Sequence, residues 1–257
     1  MPDGPGTLLG ALAEVWAQPG LAWLALASLV AGTVRGFAGF GTGMVFVPVA
    51  AQVLDPFQVL LTVMVMDLFG PIPNLPRAWA TADRGDLARL LAGTVVFLPL
   101  GLLALGYVAP EVFQVSAALV ALAMVGCMIL GLRYQGRLGP GLVFGTGSLA
   151  GVLGGVSGIP GPPVILLYMA SPNPAGVVRA SVMIYLFSYD LLLGGVLALK
   201  GAVSLLPVLI GLAMALPNLV GNVVGGWLFR PGLERVYRAV AYGIITLSAL
   251  SALRIWE

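Results

Sequence analysis

The feature that most constrains this chain is a series of apolar runs, each about 20 residues long, divided by short polar segments. A helix of about 20 apolar residues is long enough to cross the hydrocarbon core of a bilayer. Charged residues make up 9% of the chain, against about 25% in soluble domains, so the chain cannot build a water-exposed surface of ordinary composition. The predicted spanning helices are 57–76, 87–108, 112–132, 177–199, 203–229 and 236–253. The sequence therefore predicts an all-α integral membrane protein forming a single transport domain over residues 1–257.

Two further apolar segments contain glycine-rich interruptions. Residues 36–43 read GFAGFGTG, and residues 151–163 read GVLGGVSGIPGPP. The apolar arms beside each interruption span about 10–15 residues, which is too short for a crossing. Irregular backbone is tolerated at membrane depth only where it is buried in protein or lines a cavity. We therefore predict two broken or re-entrant helical hairpins.

The two interrupted segments begin similar blocks of sequence. Gly43 and Gly161 are 118 positions apart, and so are Pro99 and Pro217. Each block contains one interrupted segment followed by three long apolar runs. The spacing predicts two internal repeats, at about 20–133 and 140–257.

The loop charges bear on the orientation of these repeats. Lys200 stands apart from a set of arginines that flank the other loops: Arg77, Arg84, Arg89, Arg133, Arg137, Arg230, Arg235 and Arg238. Cytoplasmic loops are enriched in Lys and Arg. All the arginines can be cytoplasmic only if each interrupted segment returns to the side it left, which inverts the second repeat. If each interrupted segment crossed once, the repeats would be parallel and three arginines would lie outside, so the charges favour inverted repeats.

Paired breaks at matching positions of two repeats indicate a substrate site in many secondary transporters. Helix N-termini at such breaks present free N–H groups and a partial positive charge, both of which favour anions. The candidate substrate-binding residues at the breaks are Gly36, Phe40, Gly41, Thr42, Gly43, Ser157, Gly158 and Gly161. The alternative is that these glycines only permit close helix packing.

Three charged residues of the predicted membrane segments are candidates for function. Arg35, at the edge of the first break, is a candidate for bidentate binding of an anion. Asp67 and Asp190 are candidates for proton coupling, because carboxylates at this depth are costly and usually functional. The alternatives are that Arg35 extends to the interface or pairs with Asp67 or Asp190, and that the carboxylates are structural.

Polar and amphipathic residues in the same helices complete the candidate site. Tyr168, Tyr189, Asn218 and Asn222 are further predicted substrate contacts, and Asn74, Ser171, Tyr185 and Ser188 are additional candidates for the cavity wall. Asn218 and Asn222 are four residues apart and share one helix face. Hydrogen bonding between helices explains these residues equally well.

The sequence gives little support to an enzyme or a metalloprotein. The chain has no histidine and a single cysteine, Cys127, so no His-based or paired-Cys metal site is predicted. Ser157 and Ser171 lack a recognisable partner base and are weak nucleophile candidates. We expect no cofactor and no nucleic-acid partner; the expected partners are the lipid bilayer and a small anion, and the oligomeric state is left open.

A family resemblance narrows the substrate. The segments GFAGFGTGMVFVP at 36–48 and GVSGIPGPPV at 155–164 resemble the TauE/SafE family of anion permeases, over nearly the whole chain. The second segment departs from the usual glycine triplet at Ile159 and Pro160. The resemblance implies an organosulfonate or sulfite as substrate, in a multi-pass protein of the cell (inner) membrane.

Together, these features favour a secondary active transporter with alternating access around the two glycine-rich breaks. Coupling to protons or another ion is expected, because no ATP-binding motif of the type G-x-x-x-x-G-K-[ST] is present. The alternative is a small-anion channel, since glycine-rich re-entrant segments also form selectivity filters. The sequence does not decide between import and export.

Overall fold

A computed structural model describes residues 8–131, 138–169, 171, 173–228 and 234–253. Within these ranges every regular element is helical. The helices are α1 (Leu8–Ala17), α2 (Leu21–Ala38), α3 (Thr42–Ala50), α4 (Pro56–Leu68), a 3-10 turn (Ile72–Asn74), α5 (Leu75–Thr81), α6 (Arg84–Leu105), α7 (Pro110–Ile129), α8 (Pro140–Ser157), α9 (Gly161–Met169), α10 (Ala175–Leu199), α11 (Leu205–Leu228) and α12 (Glu234–Ala252).

The long helices confirm the predicted all-α membrane fold. Six helices in the described ranges are long and apolar enough to cross a bilayer: α2, α6, α7, α8, α10 and α11. The apolar part of α12, Val236–Ala252, is shorter than these six helices. Helix α4 together with the 3-10 turn and α5 forms a bent pair that is long enough to cross only when taken as one span. Of the predicted loop arginines, Arg133, Arg137 and Arg230 lie outside the described residues, as does the side chain of Arg235.

The predicted span 57–76 is one bent crossing. Helix α4 ends at Leu68, and the 3-10 turn with α5 continues at an angle of 47°. The sequence at the bend is Gly70-Pro71-Ile72-Pro73, and proline removes the N–H that a continuous helix would use. Asp67 therefore sits in the last turn of α4, beside an interruption of the helix.

The hairpins have unequal arms, so the prediction of two short arms per hairpin is wrong. Helices α2 and α8 each have 18 residues, and α3 and α9 each have nine. Most of the glycine-rich sequence is helical, and the backbone leaves the helix only at 39–41 and 158–160. Glycine weakens a helix by about 1 kcal/mol relative to alanine, and close packing of the long arms offsets that cost.

The long arm of each hairpin packs against a helix from the other half of the chain. On α2, a Cβ added to Gly32 would clash with the backbone oxygen of Asn218 on α11. On α8, a Cβ added to Gly147 would clash with the backbone oxygen of Leu90 on α6. Small residues allow this close backbone approach in membrane helices. Both helix pairs are parallel, because a residue further along one helix contacts a residue further along its partner helix.

Contacts near the helix ends show that each hairpin returns to the side from which it started. Gln18 Nε2 donates to the backbone oxygen of Val53 at 3.4 Å, so the chain after α3 lies beside the start of α2. Asp83 N–H, just before α6, donates to Ser181 Oγ near the start of α10 at 3.0 Å. Because α6 and α8 run parallel, the chain that follows α9 has also come back to the end where α8 begins.

The two hairpins start from opposite ends of the bundle. Gln52, beside the start of α2, donates from Nε2 to Ser251 Oγ at 3.2 Å. Gln114, near the start of α7, donates to the backbone oxygen of Ala252. These contacts place the start of α2 at the end where α6 finishes, so α8, which is parallel to α6, starts at the other end. This is the inverted arrangement that the loop charges favoured.

Candidate functional site

The two breaks meet at a small cavity of about 40 Å³ between the hairpins, which we call the inner cavity. It also has the charged side chains of Arg35 and Asp67 in its wall. The complete lining is Arg35, Phe40, Gly41, Thr42, Gly43, Met44, Asp67, Ile159, Pro160, Gly161, Ile165 and Leu186. The structure thus brings together seven of the predicted site residues: Arg35, Phe40, Gly41, Thr42, Gly43, Asp67 and Gly161.

The first break points a helix N-terminus at the inner cavity. Gly39 (φ 82°) ends α2, with its N–H donating to the backbone oxygen of Arg35 at 2.7 Å. Gly41 (φ 109°) is the N-cap of α3. These left-handed conformations favour glycine. The first N–H groups of α3, on Thr42, Gly43 and Met44, have no intrahelical acceptor and can donate to an anion.

The second break is poorer in donors. Gly158 (φ 70°) ends α8, with its N–H donating to the backbone oxygen of Gly154 at 3.0 Å. Helix α9 begins at Gly161 and continues with Pro162 and Pro163, which carry no N–H. In the first turn of α9 only Gly161 retains a free backbone donor. The two halves of the inner cavity therefore differ: the α3 side is rich in N–H groups and the α9 side is largely apolar.

Arg35 forms an ion pair at the edge of the inner cavity. Its Nη1 lies 3.0 Å from Asp67 Oδ2 and 3.4 Å from Thr42 Oγ1. The side chains of Arg35 and Asp67 are 11% and 16% exposed. The pairing that the sequence left open is present, and it holds Arg35 at the cavity instead of at the interface. Asp67 Oδ1 is buried and has no hydrogen-bond partner among the described residues.

Asp190 lies on α10 near this ion pair without lining the inner cavity. It is half-buried and within electrostatic range of Asp67 and Arg35. The group around the breaks thus contains one guanidinium and two carboxylates. With both carboxylates ionised, the net charge of the three groups is negative, which opposes anion binding.

A larger cavity of about 500 Å³, which we call the vestibule, lies next to the inner cavity. Phe40 and Ile165 line both cavities and so separate them. The vestibule is bordered by the end of α7 and the starts of α10 and α12, at the end of the bundle where α6 begins with Arg84. Its remaining lining residues are Phe37, Ala38, Gly39, Met128, Tyr168, Ser171, Asn173, Val178, Arg179, Val182, Tyr237 and Arg238.

Four other predicted contacts lie at helix interfaces. A Cβ on Gly36 would clash with the backbone oxygen of Asn222, and one on Gly158 would lie 2.9 Å from Leu60 Cδ2. Ser157 Oγ donates to the backbone oxygen of Leu153 at 2.7 Å, within its own helix. The Asn222 amide lies beside Gly70, at the bend after α4. These positions fit the packing interpretation that the sequence left open.

The predicted polar residues on the long helices are also separated from the inner cavity. Asn218 is buried, and its Nδ2 has no partner among the described residues. Tyr189 is buried with its ring against Gly154. Tyr185 Oη lies 2.9 Å from Thr94 Oγ1, and Asn74 is exposed. Tyr168 and Ser171 line the vestibule, whereas Ser188 lines neither cavity.

Sequence reasoning missed two kinds of residue. Ile159, Pro160, Ile165 and Leu186 line the inner cavity as apolar side chains, and nothing in an apolar helix distinguishes a cavity-lining residue from a lipid-facing one. Arg179 was missed although a signal existed: it is the only charged residue in α10 besides Asp190. A cation in such a helix is costly unless it faces water or a polar cavity.

Comparison with known proteins gives one match. The family model described as "Sulfite exporter TauE/SafE" matches residues 24–252. No curated protein and no solved structure gives a significant match.

Proposed function

The chain belongs to the sulfite exporter TauE/SafE family, and from that premise we propose that it is a secondary active transporter of a sulfur-containing anion. The substrate is an organosulfonate or sulfite, and the protein is a multi-pass protein of the cell (inner) membrane with its arginine-rich loops in the cytoplasm. The observation that carries the proposal is the meeting of the two glycine-rich breaks at the inner cavity, beside Arg35.

The chemistry of the inner cavity suits an oxyanion. The first-turn N–H groups of α3 supply hydrogen-bond donors and a partial positive charge, and Thr42 adds a hydroxyl. Arg35 supplies a full positive charge once Asp67 no longer holds it. Guanidinium groups bind planar arrays of oxygens bidentately, and a sulfonate or sulfite offers three such oxygens.

The charges around the inner cavity support coupling to protons. While Asp67 is ionised it competes with the anion for Arg35, and Asp190 adds further repulsion. Protonation of Asp67 or Asp190 removes this competition, so anion and proton bind more favourably together than separately. In this mechanism the two carboxylates carry the proton, and Arg35 alternates between Asp67 and the substrate.

The arrangement of the cavities favours a carrier over a channel. The vestibule lies toward one end of the bundle, and Phe40 and Ile165 line both it and the inner cavity. On the far side of the second break, Gly158 packs against Leu60 and Val47, which are fully buried. An open state on one side with tight packing on the other is what alternating access requires. The two inverted halves, about 20–133 and 140–257, would supply the alternation.

Transport by purified protein in liposomes tests this proposal. We expect saturable uptake of radiolabelled sulfite or 4-toluenesulfonate, counterflow driven by unlabelled substrate, and stimulation by an inward proton gradient. Arg35→Gln should reduce the initial rate at least about tenfold, because it removes a charge-assisted interaction worth about 1.5–3 kcal/mol. Unitary anion currents without counterflow would instead identify a channel, and the absence of any sulfur-anion flux would refute the assignment.

A further inference from the structure

The vestibule contains polar groups that the transport mechanism around the inner cavity does not use. Arg179 and Arg238 line it and are exposed at its rim. Among the side chains that the structure describes, neither arginine forms an ion pair. Two cations on one cavity wall repel each other, and a bound anion would offset this electrostatic repulsion.

Hydroxyl groups lie deeper in the same cavity. Tyr168 is 1% exposed and lines the vestibule, as does Ser171. Within the described part of the chain, neither hydroxyl oxygen makes a hydrogen bond of normal length, although both oxygens are buried. Buried polar groups are normally paired, so the Ser171 hydroxyl is available to a ligand. The Tyr168 hydroxyl lies near the Ser181 hydroxyl and would exchange it for the ligand.

The rest of the vestibule wall is apolar and aromatic. Phe37, Phe40 and Val182 are among the side chains that form it. A volume of about 500 Å³ lies within the range of pockets for small organic molecules, roughly 300–1,000 Å³. An inorganic oxyanion would leave most of this space unfilled, whereas an organic anion could contact the apolar wall and the cations together.

From these observations we propose that the vestibule is a second anion-binding site, separate from the inner cavity, for an organic anion with an apolar or aromatic body. Arg179 and Arg238 bind the anionic group, Tyr168 and Ser171 donate hydrogen bonds, and the aromatic wall holds the body of the ligand. Because Phe40 and Ile165 separate the two cavities, both sites can be occupied at once.

Isothermal titration of the detergent-purified protein with 4-toluenesulfonate tests the proposal without measuring transport. We expect a vestibule event that Arg179→Gln and Arg238→Gln each weaken at least about tenfold, as expected for loss of a charge-assisted hydrogen bond. Arg35→Gln should leave this event unchanged, so the result does not depend on whether the inner cavity, of about 40 Å³, also takes this ligand. Arg77→Gln is the matched control, because Arg77 is exposed on α5 and lines neither cavity. Arg179→Lys should restore part of the affinity.

Two further titrations fix the nature of the ligand. Methanesulfonate has the same anionic group without the aromatic body and should bind the vestibule more weakly than 4-toluenesulfonate. The vestibule event should also weaken with added salt, since its arginines are exposed and screened. Binding that survives both arginine substitutions, or binding that only Arg35→Gln removes, would overturn the proposal. Competitive loss of the vestibule event on adding phosphatidylglycerol would also overturn it, by identifying a lipid headgroup as the occupant.

Discussion

Arg35 Nη1 lies 3.0 Å from Asp67 Oδ2 and 3.4 Å from Thr42 Oγ1, so one nitrogen joins the bend of α4 to the N-terminus of α3. The cation thus contacts both a carboxylate that neutralises it and a helix end suited to an anion. Binding of an oxyanion at that helix end requires Arg35 to weaken its contact with Asp67. When Arg35 exchanges Asp67 for the anion, the ionisation state of Asp67 affects how strongly the anion binds in the inner cavity.

Asp67→Asn should weaken the pH dependence of transport. The amide cannot ionise, so Arg35 is available to the anion at every pH. With 4-toluenesulfonate, whose sulfonate stays ionised throughout, we expect the uptake rate to vary less between pH 6 and pH 8 than in the wild type, with the remaining dependence due to Asp190. Initial rates of uptake into liposomes at a series of pH values check this. The matched control is Glu111→Gln, because Glu111 is exposed in the first turn of α7 and lines neither cavity. A pH profile that is the same in Asp67→Asn and the wild type would contradict the partner exchange.

Gly41→Ala should destabilise the protein. The φ of 109° at Gly41 is a conformation that residues with a Cβ rarely adopt, and the new Cβ would lie 3.1 Å from Val34 Cγ1. We expect a loss of about 1–2 kcal/mol, the usual cost of a left-handed backbone conformation for an L-residue, and a lower melting temperature in a thermal-shift assay. Gly226→Ala is the control, since a Cβ there meets no atom within 4 Å. Equal melting temperatures for the two variants would show that the backbone at Gly41 differs from the one described here.

Gly36→Ala distinguishes packing from substrate contact at a residue that the sequence placed in the site. The new Cβ would push against the backbone of α11 at Asn222 and Gly225, so we expect lower thermal stability. Gly36 does not line the inner cavity, and the affinity of the folded protein for sulfite should therefore stay within about twofold of the wild type. Stability and affinity can be measured on the same sample by thermal shift and titration. A stable variant with much weaker binding would return Gly36 to the site.

Pro162→Ala combined with Pro163→Ala should strengthen the binding of inorganic sulfite. The double substitution restores two backbone N–H groups in the first turn of α9, at the N-terminus that borders the inner cavity. One added hydrogen bond to an anion is worth about 1.5–3 kcal/mol when it is fully formed, so we expect affinity to rise at least about tenfold. The control is Pro140→Ala, because Pro140 starts α8 at the opposite end of its hairpin. Unchanged or weaker sulfite binding in the double variant would show that α9 does not contact the anion.

Much of the fold follows from the sequence, because the bilayer determines how long the apolar runs must be and on which side the loop arginines lie. Residues 87–108 and 112–132, for example, correspond closely to α6 and α7. The arm lengths of the hairpins do not follow in the same way. A glycine that packs a helix, such as Gly36, and one that ends a helix, such as Gly39, are the same residue type, and only the approach of α11 distinguishes them.

The candidate site could be predicted in part for a related reason. Breaks mark where backbone N–H groups become free, and Gly41, Thr42, Gly43 and Gly161 line the cavity where the hairpins meet; their contact with a substrate stays a prediction. The partner of Arg35 depends on the distance between α2 and the bend of α4, which spacing along the chain does not contain. The vestibule depends on where three helix ends diverge, and its apolar wall resembles any lipid-facing surface.

The exchange of helices between the halves has a consequence for biosynthesis. The glycine-bearing face of α2 is covered by α11, which begins at Leu205 and is translated long after α2. Until then that face must be shielded by lipid, by the insertion machinery or by a neighbouring helix. The first hairpin therefore reaches its final packing only when most of the chain has been synthesised, and a chain that stops before α11 would lack the helix that covers this face of α2.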